Sequence, residues 1–312
     1  MQKLTVVVPA YNESEGLRDF HARLAAVLDT LDVRAEVLYV DDGSRDETYT
    51  VMRALADADA RVSTLRLSRN FGKELALTAG LDHADADAVV VIDADLQDPP
   101  ELIPTFVAHW RDGYDVVYGT RASRAGETRF KKATASAFYR LMGRLSETPI
   151  PRDTGDFRLL SRRALDALRQ VRERQRFMKG LFTWVGYRQL AVVYHRDPRH
   201  AGKSKWNYWR LWNFAIDGIT SFSGAPLKLA TYIGIATAAL AFLFGLWVFG
   251  KALLFGDPVR GYPSLMVVVL LLGGMQLVAL GVIGEYLGRL YIESKQRPLY
   301  LVDEYHPPHG GG

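Results

Sequence analysis

The chain contains no cysteine, so it can form neither a disulfide bond nor a thiolate metal site. This absence is compatible with a protein that works in a reducing cytoplasm. The first apolar run, Leu4–Val8, is too short for a signal peptide and leads directly into Pro9 and the polar Asn12. We therefore expect this N-terminus to carry no signal peptide.

Both common glycine-rich phosphate-binding motifs are also missing. No Gly-x-Gly-x-x-Gly follows the first apolar run, and no Gly-x-x-x-x-Gly-Lys-Ser/Thr occurs anywhere in the chain. Their absence excludes the dinucleotide-binding fingerprint and the P-loop. If the protein binds a diphosphate, other groups must hold it.

The N-terminal part alternates between strand-like and helix-like patterns. Short runs of β-branched and aliphatic residues predict strands at Leu4–Val8, Val37–Val40, Val62–Leu67, Val89–Ile92 and Val116–Tyr118. Helical patterns lie between them at Glu15–Leu31, Asp46–Ala58, Lys73–Ala84 and Pro100–Trp110. Such alternation predicts an α/β domain with a doubly wound, mostly parallel sheet.

Acidic residues follow two of these predicted strands, at the edge where sheets of this type bind ligands. Asp93, Asp95 and Gln97 come directly after the fourth strand and offer the oxygen ligands that Mg²⁺ or Mn²⁺ prefers. A cation there would let carboxylates hold a diphosphate. Asp41 and Asp42 follow the second strand, where acids contact a base or a ribose, although a helix-capping turn is an alternative.

Two long runs near the C-terminus lack any charged residue. They cover 22 positions at 229–250 and 24 positions at 261–284, and each is long enough to cross a ~30 Å hydrocarbon core as a helix. The short loop Lys251–Arg260 would join them as a hairpin. Basic residues flank its outer ends, which places those ends in the cytoplasm by the positive-inside rule. A buried hairpin in a soluble protein is the alternative.

Two further segments have the pattern of helices at a membrane surface. Residues 206–214 interleave aromatic with basic side chains, and residues 129–145 combine an apolar face with lysine and arginine. Either could instead be a helix that packs against the core. The basic residues concentrate in Arg121–Arg144 and Arg196–Arg210, which favours phosphate-bearing substrates or anionic lipid and argues against a nucleic-acid partner.

Five ordered motifs resemble those of the family 2 glycosyltransferases: Val7–Glu13, Asp41–Asp46, Asn70–Lys73, Asp93–Glu101 and Gly155–Arg158. Within that family the chain resembles the polyisoprenyl-phosphate glycosyltransferases, relatives of dolichyl-phosphate mannose synthase with a C-terminal membrane hairpin. The resemblance covers nearly the whole chain. It implies a GT-A fold, a nucleotide-sugar donor, a divalent cation (Mg²⁺ or Mn²⁺) and inversion at the anomeric carbon.

The resemblance also assigns roles to single residues. Asp95 and Gln97 would bind the metal, Asp156 takes the position of the catalytic base, and Arg199 would stabilise the leaving diphosphate. The donor would be held by Pro9, Tyr11, Glu13, Asp42, Asp93, Arg121, Arg199 and Lys205. A phosphate monoester is already largely dianionic at neutral pH, so we expect Asp156 to orient the acceptor more than to deprotonate it.

Together these features predict the transfer of one sugar from a nucleotide diphosphate to a polyisoprenyl phosphate at the cell (inner) membrane. The versions of the motifs at Asn70–Lys73 and Gly155–Arg158 resemble glucosyl-type members, so UDP-glucose and undecaprenyl phosphate are the expected substrates. Mannose, N-acetylhexosamine and modified arabinose stay open. A processive synthase is disfavoured because the Gln-x-x-Arg-Trp signature is absent, and a lipid-sugar flippase component because the spans carry no charge.

The expected domain organisation has four parts. Residues 1–200 form the catalytic domain, 201–226 a basic loop with an interfacial aromatic helix, 227–290 the two membrane helices, and 291–312 a cytoplasmic tail with an unstructured end from His306. Membrane lipid is an expected partner. Self-association into a homo-oligomer stays open.

Overall fold

The structure is a computed structural model that describes residues 1–121, 154–174, 176–194, 225–255 and 261–308. The two predicted surface helices, at 129–145 and 206–214, lie outside the described residues. The same holds for Arg199 and Lys205, so their assignment stays a prediction.

An eight-stranded mixed sheet forms the centre of the N-terminal part. Its strands are β1 (Lys3–Ala10), β2 (Arg34–Asp41), β3 (Val62–Leu67), β4 (Ala88–Val91), β5 (Val116–Arg121), β6 (Thr154–Ser161), β7 (Gln189–Tyr194) and β8 (Val302–His306). The order across the sheet is β7-β5-β6-β4-β1-β2-β3-β8. Strands β4, β1, β2 and β3 run parallel, as the alternating pattern predicts. Strand β6 runs antiparallel to β4 and β5, and β8 antiparallel to β3.

Helices cover both faces of this sheet. They are α1 (Leu17–Leu28), α2 (Thr48–Ala58), α3 (Lys73–His83), α4 (Ile103–Arg111), α5 (Arg162–Gln170) and α6 (Met178–Trp184), with a short 3₁₀ turn at Pro100–Leu102. Helix α2 begins two residues later than predicted, because the Asp46 carboxylate accepts a hydrogen bond from the backbone N–H of Thr48 at 3.0 Å. The α/β class is confirmed.

Alternating side chains of the central strands build one core on each face of the sheet. On one face, Val6 and Val8 of β1 lie among buried residues of α1, α2 and α4. On the other face, Val7 lies among buried residues of α3, α5 and α6. Burial on both faces explains why the parallel strands read as continuous apolar runs in the sequence. It also fixes the position of the strand ends that carry the acidic motifs.

Two long helices follow in the C-terminal part. Helix α7 covers Ala225–Phe255 over 31 residues, and α8 covers Tyr262–Ser294 over 33 residues. They contact each other, since the Thr237 hydroxyl lies 3.0 Å from the sulfur of Met275. Among the described residues, one stretch, Leu271–Ser294, is long and apolar enough to cross a membrane, with a mean hydropathy of 1.4 and no buried part. Both predicted runs are therefore helical, and a second span stays a proposal.

The C-terminal tail differs from its prediction. Residues Val302–His306 form β8 against β3, so His306 belongs to the sheet and not to an unstructured end. An otherwise open edge of β3 gains a partner in this way. The Tyr300 hydroxyl donates to the Asp82 carboxylate at 2.9 Å, and Tyr49 donates to Glu304 at 2.7 Å. These side-chain bonds fix a segment whose own sequence carries only a weak strand pattern.

Candidate active site

The strand ends that carry the acidic motifs meet at one edge of the sheet. Parallel β1, β2, β3 and β4 all end there. Strand β6 begins there, because its antiparallel register sets Val91 of β4 opposite Arg158. Asp93, two residues after Val91, and Asp156, two residues before Arg158, come together there, and Lys73 contacts both. The fold thus joins two motifs that lie more than sixty residues apart in the sequence.

The first loop at this edge, after β1, is tied to the loop after β2. Asn12 has a positive φ of 55°, and its side-chain oxygen accepts a hydrogen bond from the backbone N–H of Arg45 at 2.9 Å. The backbone N–H of Glu13 donates to the Thr48 hydroxyl at 2.9 Å. Pro9 lies near the end of β1, and Tyr11 and Glu13 follow this strand at the same edge of the sheet. Their predicted contacts with a nucleoside remain a prediction.

Asp42 holds the loop that precedes α3. One carboxylate oxygen accepts from the backbone N–H of Phe71 at 2.7 Å, and the other from that of Gly72 at 2.9 Å. Gly43 lets the loop after β2 lie close to the backbone of Arg69, because a Cβ added to Gly43 would lie only 2.4 Å from the carbonyl carbon of Arg69. The φ of Gly43 is +64°, which also favours glycine. The side chain of Asp42 is buried within this arrangement. Its predicted contact with a nucleoside remains a prediction.

Lys73 connects the two acidic motifs. Its ammonium nitrogen lies 2.7 Å from each carboxylate oxygen of Asp93 and 2.6 Å from Oδ2 of Asp156. The exposed fraction of the side chain is 45% for Lys73 but only 9% for Asp156. Among the described residues, Oδ1 of Asp156 is buried and accepts no hydrogen bond. A buried carboxylate oxygen in this state needs a partner such as an ordered water or a bound group.

Burial and neighbouring charges act on this cluster in opposite directions. Burial alone would raise the pKa of Asp156, but Lys73 and the nearby Lys179 outweigh it and hold the pKa below its usual range. For Asp93 burial dominates over the attraction of Lys73 and raises the pKa. Burial also works against a charged Lys73, yet Asp93 and Asp156 together raise its pKa. Asp156 and Lys73 are therefore charged at neutral pH.

Asp95 and Gln97 occupy a tight turn beyond β4. Leu96 between them has a positive φ of 58°, and the backbone N–H of Gln97 donates to Oδ1 of Asp95 at 3.1 Å. Both side chains are partly exposed at the edge. No group of three or more His, Cys, Asp or Glu side chains suited to a metal occurs in the described residues. The side-chain oxygens of Asp95 and Gln97 nevertheless fit Mg²⁺ or Mn²⁺, since such ions bind through one or two protein oxygens together with substrate phosphates.

Arg121 lies at the end of β5, beside the start of β6. A Cβ added to Gly155 would be 3.5 Å from a guanidinium nitrogen of Arg121 and 3.7 Å from Oδ2 of Asp98. The buried Asp98 accepts a short hydrogen bond from the Tyr194 hydroxyl. The Nε of Arg121 is buried and donates no hydrogen bond in the described part of the chain. The structure thus brings the predicted Arg121 next to the residue that precedes Asp156.

Sequence reasoning did not select four further residues of the site. Arg158 donates to the backbone carbonyls of Gly155 at 2.8 Å and Asp156 at 3.2 Å, and its guanidinium lies 3.8 Å above the ring of Phe182. Lys73 and Arg158 are the last residues of two of the five motifs, and this position could have marked them as site residues. The others, Glu74 and Lys179, carry no signal in the sequence, because only tertiary packing brings them near Asp156.

Both parts of the chain are similar to known proteins. Residues 5–169 match the family described as Glycosyl transferase family 2, and residues 225–290 match the GtrB C-terminal hairpin. An uncharacterized glycosyltransferase of Synechocystis sp. is 53% identical over 302 residues, which cover 97% of this chain and 95% of the relative. The bactoprenol glucosyl transferase of Shigella phage SfV is 47% identical over 300 residues, with 96% and 98% covered.

Among solved structures, mannosyl-3-phosphoglycerate synthase from Rubrobacter xylanophilus is 17% identical. The match has a TM-score of 0.49 and covers 70% of this chain and 72% of that chain. The resemblance stated from the five motifs is confirmed by the two family matches and the two relatives.

Proposed function

Because this chain belongs to the family 2 glycosyl transferases, we propose that it transfers glucose from UDP-glucose to a polyisoprenyl phosphate. The name of the phage relative, bactoprenol glucosyl transferase, supports both the sugar and the lipid class. The observation that carries the proposal is the Lys73 bridge between Asp93 and Asp156. It sets the acidic motif that follows β4 beside the buried carboxylate of Asp156.

The donor would lie along the ends of β1, β2 and β4. Pro9, Tyr11, Glu13 and Asp42 line the loops where we place the nucleoside. Asp95 and Gln97 would hold Mg²⁺ or Mn²⁺, and such an ion would supply positive charge for the diphosphate of the donor. Arg121 and, outside the described residues, Arg199 and Lys205 would add positive charge for the same phosphates.

The chemical step we propose is one displacement at the anomeric carbon. An oxygen of the acceptor phosphate forms a bond to that carbon while the bond to the diphosphate breaks, so the configuration inverts. UDP leaves with the bonding electron pair. The attacking oxygen needs no general base, because a phosphate monoester is mostly dianionic at neutral pH.

Asp156 then positions the acceptor and does not remove a proton. With its pKa held below the usual range against the effect of burial, the carboxylate is a weak base. An anionic oxygen cannot accept a hydrogen bond from a dianionic phosphate. Asp156 must therefore act on the acceptor through positively charged neighbours.

The helices α7 and α8 would keep this site at a lipid surface. Exposed apolar side chains occur along both helices, among them Leu240, Phe242, Leu271 and Leu280. A polyisoprenyl tail stays in the bilayer, so its phosphate can reach only a pocket near the headgroups. We propose that both helices span the membrane and that the sheet faces the cytoplasm. This arrangement corresponds to a multi-pass protein of the cell membrane.

A donor screen on the purified full chain tests the proposed function. The protein in detergent is mixed with undecaprenyl phosphate, Mg²⁺ or Mn²⁺, and in turn UDP-glucose, UDP-N-acetylglucosamine or GDP-mannose. We expect UDP release from UDP-glucose only when the acceptor is present, together with a lipid-linked glucose detected by mass spectrometry. Product from another donor, with none from UDP-glucose, would contradict the sugar assignment. A chain that binds UDP-glucose but never releases UDP would be a binding protein.

A further inference from the structure

Lys73 has more hydrogen-bonding capacity than its two carboxylate partners use. An ammonium group carries three N–H donors. Among the described residues only Asp93 and Asp156 contact it, and Oδ1 of Asp93 has no hydrogen-bond partner there, so the ammonium donates to Oδ2 of Asp93 and to Oδ2 of Asp156. With 45% of its side chain exposed, Lys73 is open toward the edge where the substrates would bind. One N–H therefore remains for a ligand.

The charges at this place require such a donor. The ionised Asp156 would repel a dianionic phosphate unless a cation lay between them, and the ammonium of Lys73 lies 2.6 Å from its Oδ2. Other cations lie close by, but their roles differ. Arg158 is directed at backbone carbonyls and at the ring of Phe182, and it is buried. Arg121 lies beside Asp98 and Gly155.

From this geometry we propose that Lys73 binds the phosphate of the lipid acceptor and holds it against Asp156. The inference rests on the proposed function and names the contact that its acceptor makes. Oδ2 of Asp156 and Oδ2 of Asp93 fix the ammonium within the cluster, and the exposed part of the side chain leaves room for an acceptor oxygen. Asp156 acts on the acceptor through Lys73, which removes the conflict between a carboxylate and a dianionic substrate.

The surrounding fold holds Lys73 in this position. Lys73 is the first residue of α3, and the preceding Gly72 has a φ of +100°. The Asp42 carboxylate accepts the backbone N–H of both Phe71 and Gly72, which fixes the entry into the helix. A residue needed only for surface charge would not require a left-handed glycine and a buried aspartate before it.

The absence of cysteine allows a site-specific test of this proposal. In Lys73→Cys the new thiol is the only one in the chain, and 2-bromoethylamine converts it to a side chain that ends in an amine like lysine. Steady-state kinetics with UDP-glucose and undecaprenyl phosphate are measured before and after this treatment. Calorimetry measures the binding of UDP with Mn²⁺ to the same samples. Lys3→Met is the matched control, because Lys3 pairs with Glu36 at 3.0 Å at the opposite end of β1.

We expect Lys73→Cys to raise the acceptor KM at least ~10-fold, the usual effect of losing a hydrogen bond from a charged group. The affinity for UDP should change less than about threefold, since a donor contact is not removed. Aminoethylation should restore the acceptor KM, and Lys3→Met should leave it unchanged. An acceptor KM that stays the same, a parallel loss of UDP affinity, or no recovery after aminoethylation would overturn the proposal.

Two further measurements separate this proposal from its premises. A wild-type chain that forms no lipid-linked sugar contradicts the proposed function itself, whatever Lys73 does. If Lys73→Cys does not fold, judged by its thermal unfolding, Lys73→Arg replaces it. That variant keeps the positive charge, so we expect kcat to fall with the altered geometry while the acceptor KM stays within about threefold of wild type. A larger rise in the Arg variant would count against the proposal.

Discussion

At the scale of single residues, acidic side chains of one edge have different surroundings and different roles. Both carboxylate oxygens of Asp42 accept hydrogen bonds from backbone N–H groups of the loop before α3. One carboxylate oxygen of Asp156 pairs with Lys73, and the other accepts no hydrogen bond from the described residues. The sequence shows both simply as acids after or within motifs. Only the fold separates an acid whose two oxygens both bind the backbone from one that keeps an oxygen without a partner among the described residues.

Asp156→Asn tests whether this residue acts as a base. Lys73 and Lys179, acting against burial, hold the pKa of Asp156 below its usual range, so the carboxylate is ionised throughout the working range. We expect the variant to lose activity by a similar factor at every pH between about 6 and 9. Its kcat and the wild-type kcat are compared across that range. Recovery of the variant to the wild-type rate at alkaline pH would indicate base catalysis and contradict a positioning role.

Glu74→Gln tests the electrostatics behind Asp156. Burial and the charge of Asp156 raise the pKa of Glu74 to about 7. A carboxyl whose pKa is raised on folding contributes stability below its unfolded value, and this contribution is lost as the pH rises through 7. The variant should therefore match wild type near pH 5 and be more stable near pH 8, by about 1 to 3 kcal/mol.

Thermal unfolding at the two pH values measures this difference. Glutamine keeps the side-chain oxygen that accepts the backbone N–H of Met178 at 2.8 Å in wild type, so the substitution changes mainly charge. Equal melting temperatures of variant and wild type at both pH values would show that Glu74 is not held at a raised pKa.

At the scale of secondary structure, α3 carries the site through its close contact with the sheet. Gly80 faces β1, and an added Cβ would lie 2.3 Å from Cγ1 of Val7 and 3.0 Å from Cγ2 of Val40. Both neighbours are β-branched and cannot rotate away easily. The glycine thus lowers α3 onto the strands, which sets the height of Lys73 above Asp93.

Gly80→Ala should destabilise the protein although alanine favours helix. The gain of about 1 kcal/mol in helix propensity is outweighed by an overpacking cost of about 1 to 3 kcal/mol and by a tilt of α3. We expect a lower melting temperature and reduced kcat. Gly16→Ala is the matched control, because no atom lies within 4 Å of its added Cβ, and it should change stability by less than about 0.5 kcal/mol. A Gly80 variant as stable and active as the control would contradict this packing.

The sequence predicted strands β1 to β5 and helices α1 to α4, but not β6, β7, β8, α5 or α6. The parallel strands are buried on both faces and appear as apolar runs. Strand β6 contains Asp156 and Arg158, which are buried only because tertiary partners satisfy them. Strand β8 is mostly exposed and depends on the open edge of β3. Both β6 and β8 are stabilised by residues that are distant in the chain. A local sequence pattern cannot reveal such partners.

At the scale of the whole molecule, the C-terminal segment returns from α8 to the sheet. Near the end of α8, the Glu293 carboxylate accepts from the backbone N–H of Arg174 at 2.6 Å and pairs with its guanidinium at 3.2 Å. The chain then adds β8 to the far edge of the sheet. The long helices and the catalytic part are thereby connected at a second place besides the link before α7.

A designed disulfide tests this return of the chain. Arg66 of β3 lies directly opposite Glu304 of β8, and such antiparallel pairs have the Cα separation that a disulfide needs. In a chain without cysteine, Arg66→Cys with Glu304→Cys should oxidise to a single intramolecular bond. Arg66→Cys with Tyr305→Cys is the control, because adjacent residues of a strand face opposite sides and should stay reduced. Mass spectrometry measures the number of free thiols in each of the two double variants. Oxidation of the control pair but not the opposed pair would contradict the register.

The central claim is that one edge of the sheet holds a metal-bound nucleotide sugar at Asp95 and Gln97 beside a lipid phosphate at Asp156 and Lys73. Its most direct test is the rate at which the purified full chain forms lipid-linked glucose from UDP-glucose and undecaprenyl phosphate. Chelation of divalent cations, or the double change Asp95→Ala and Gln97→Ala, should lower that rate at least ~100-fold while the variant still folds. An undiminished rate under either condition would contradict the claim.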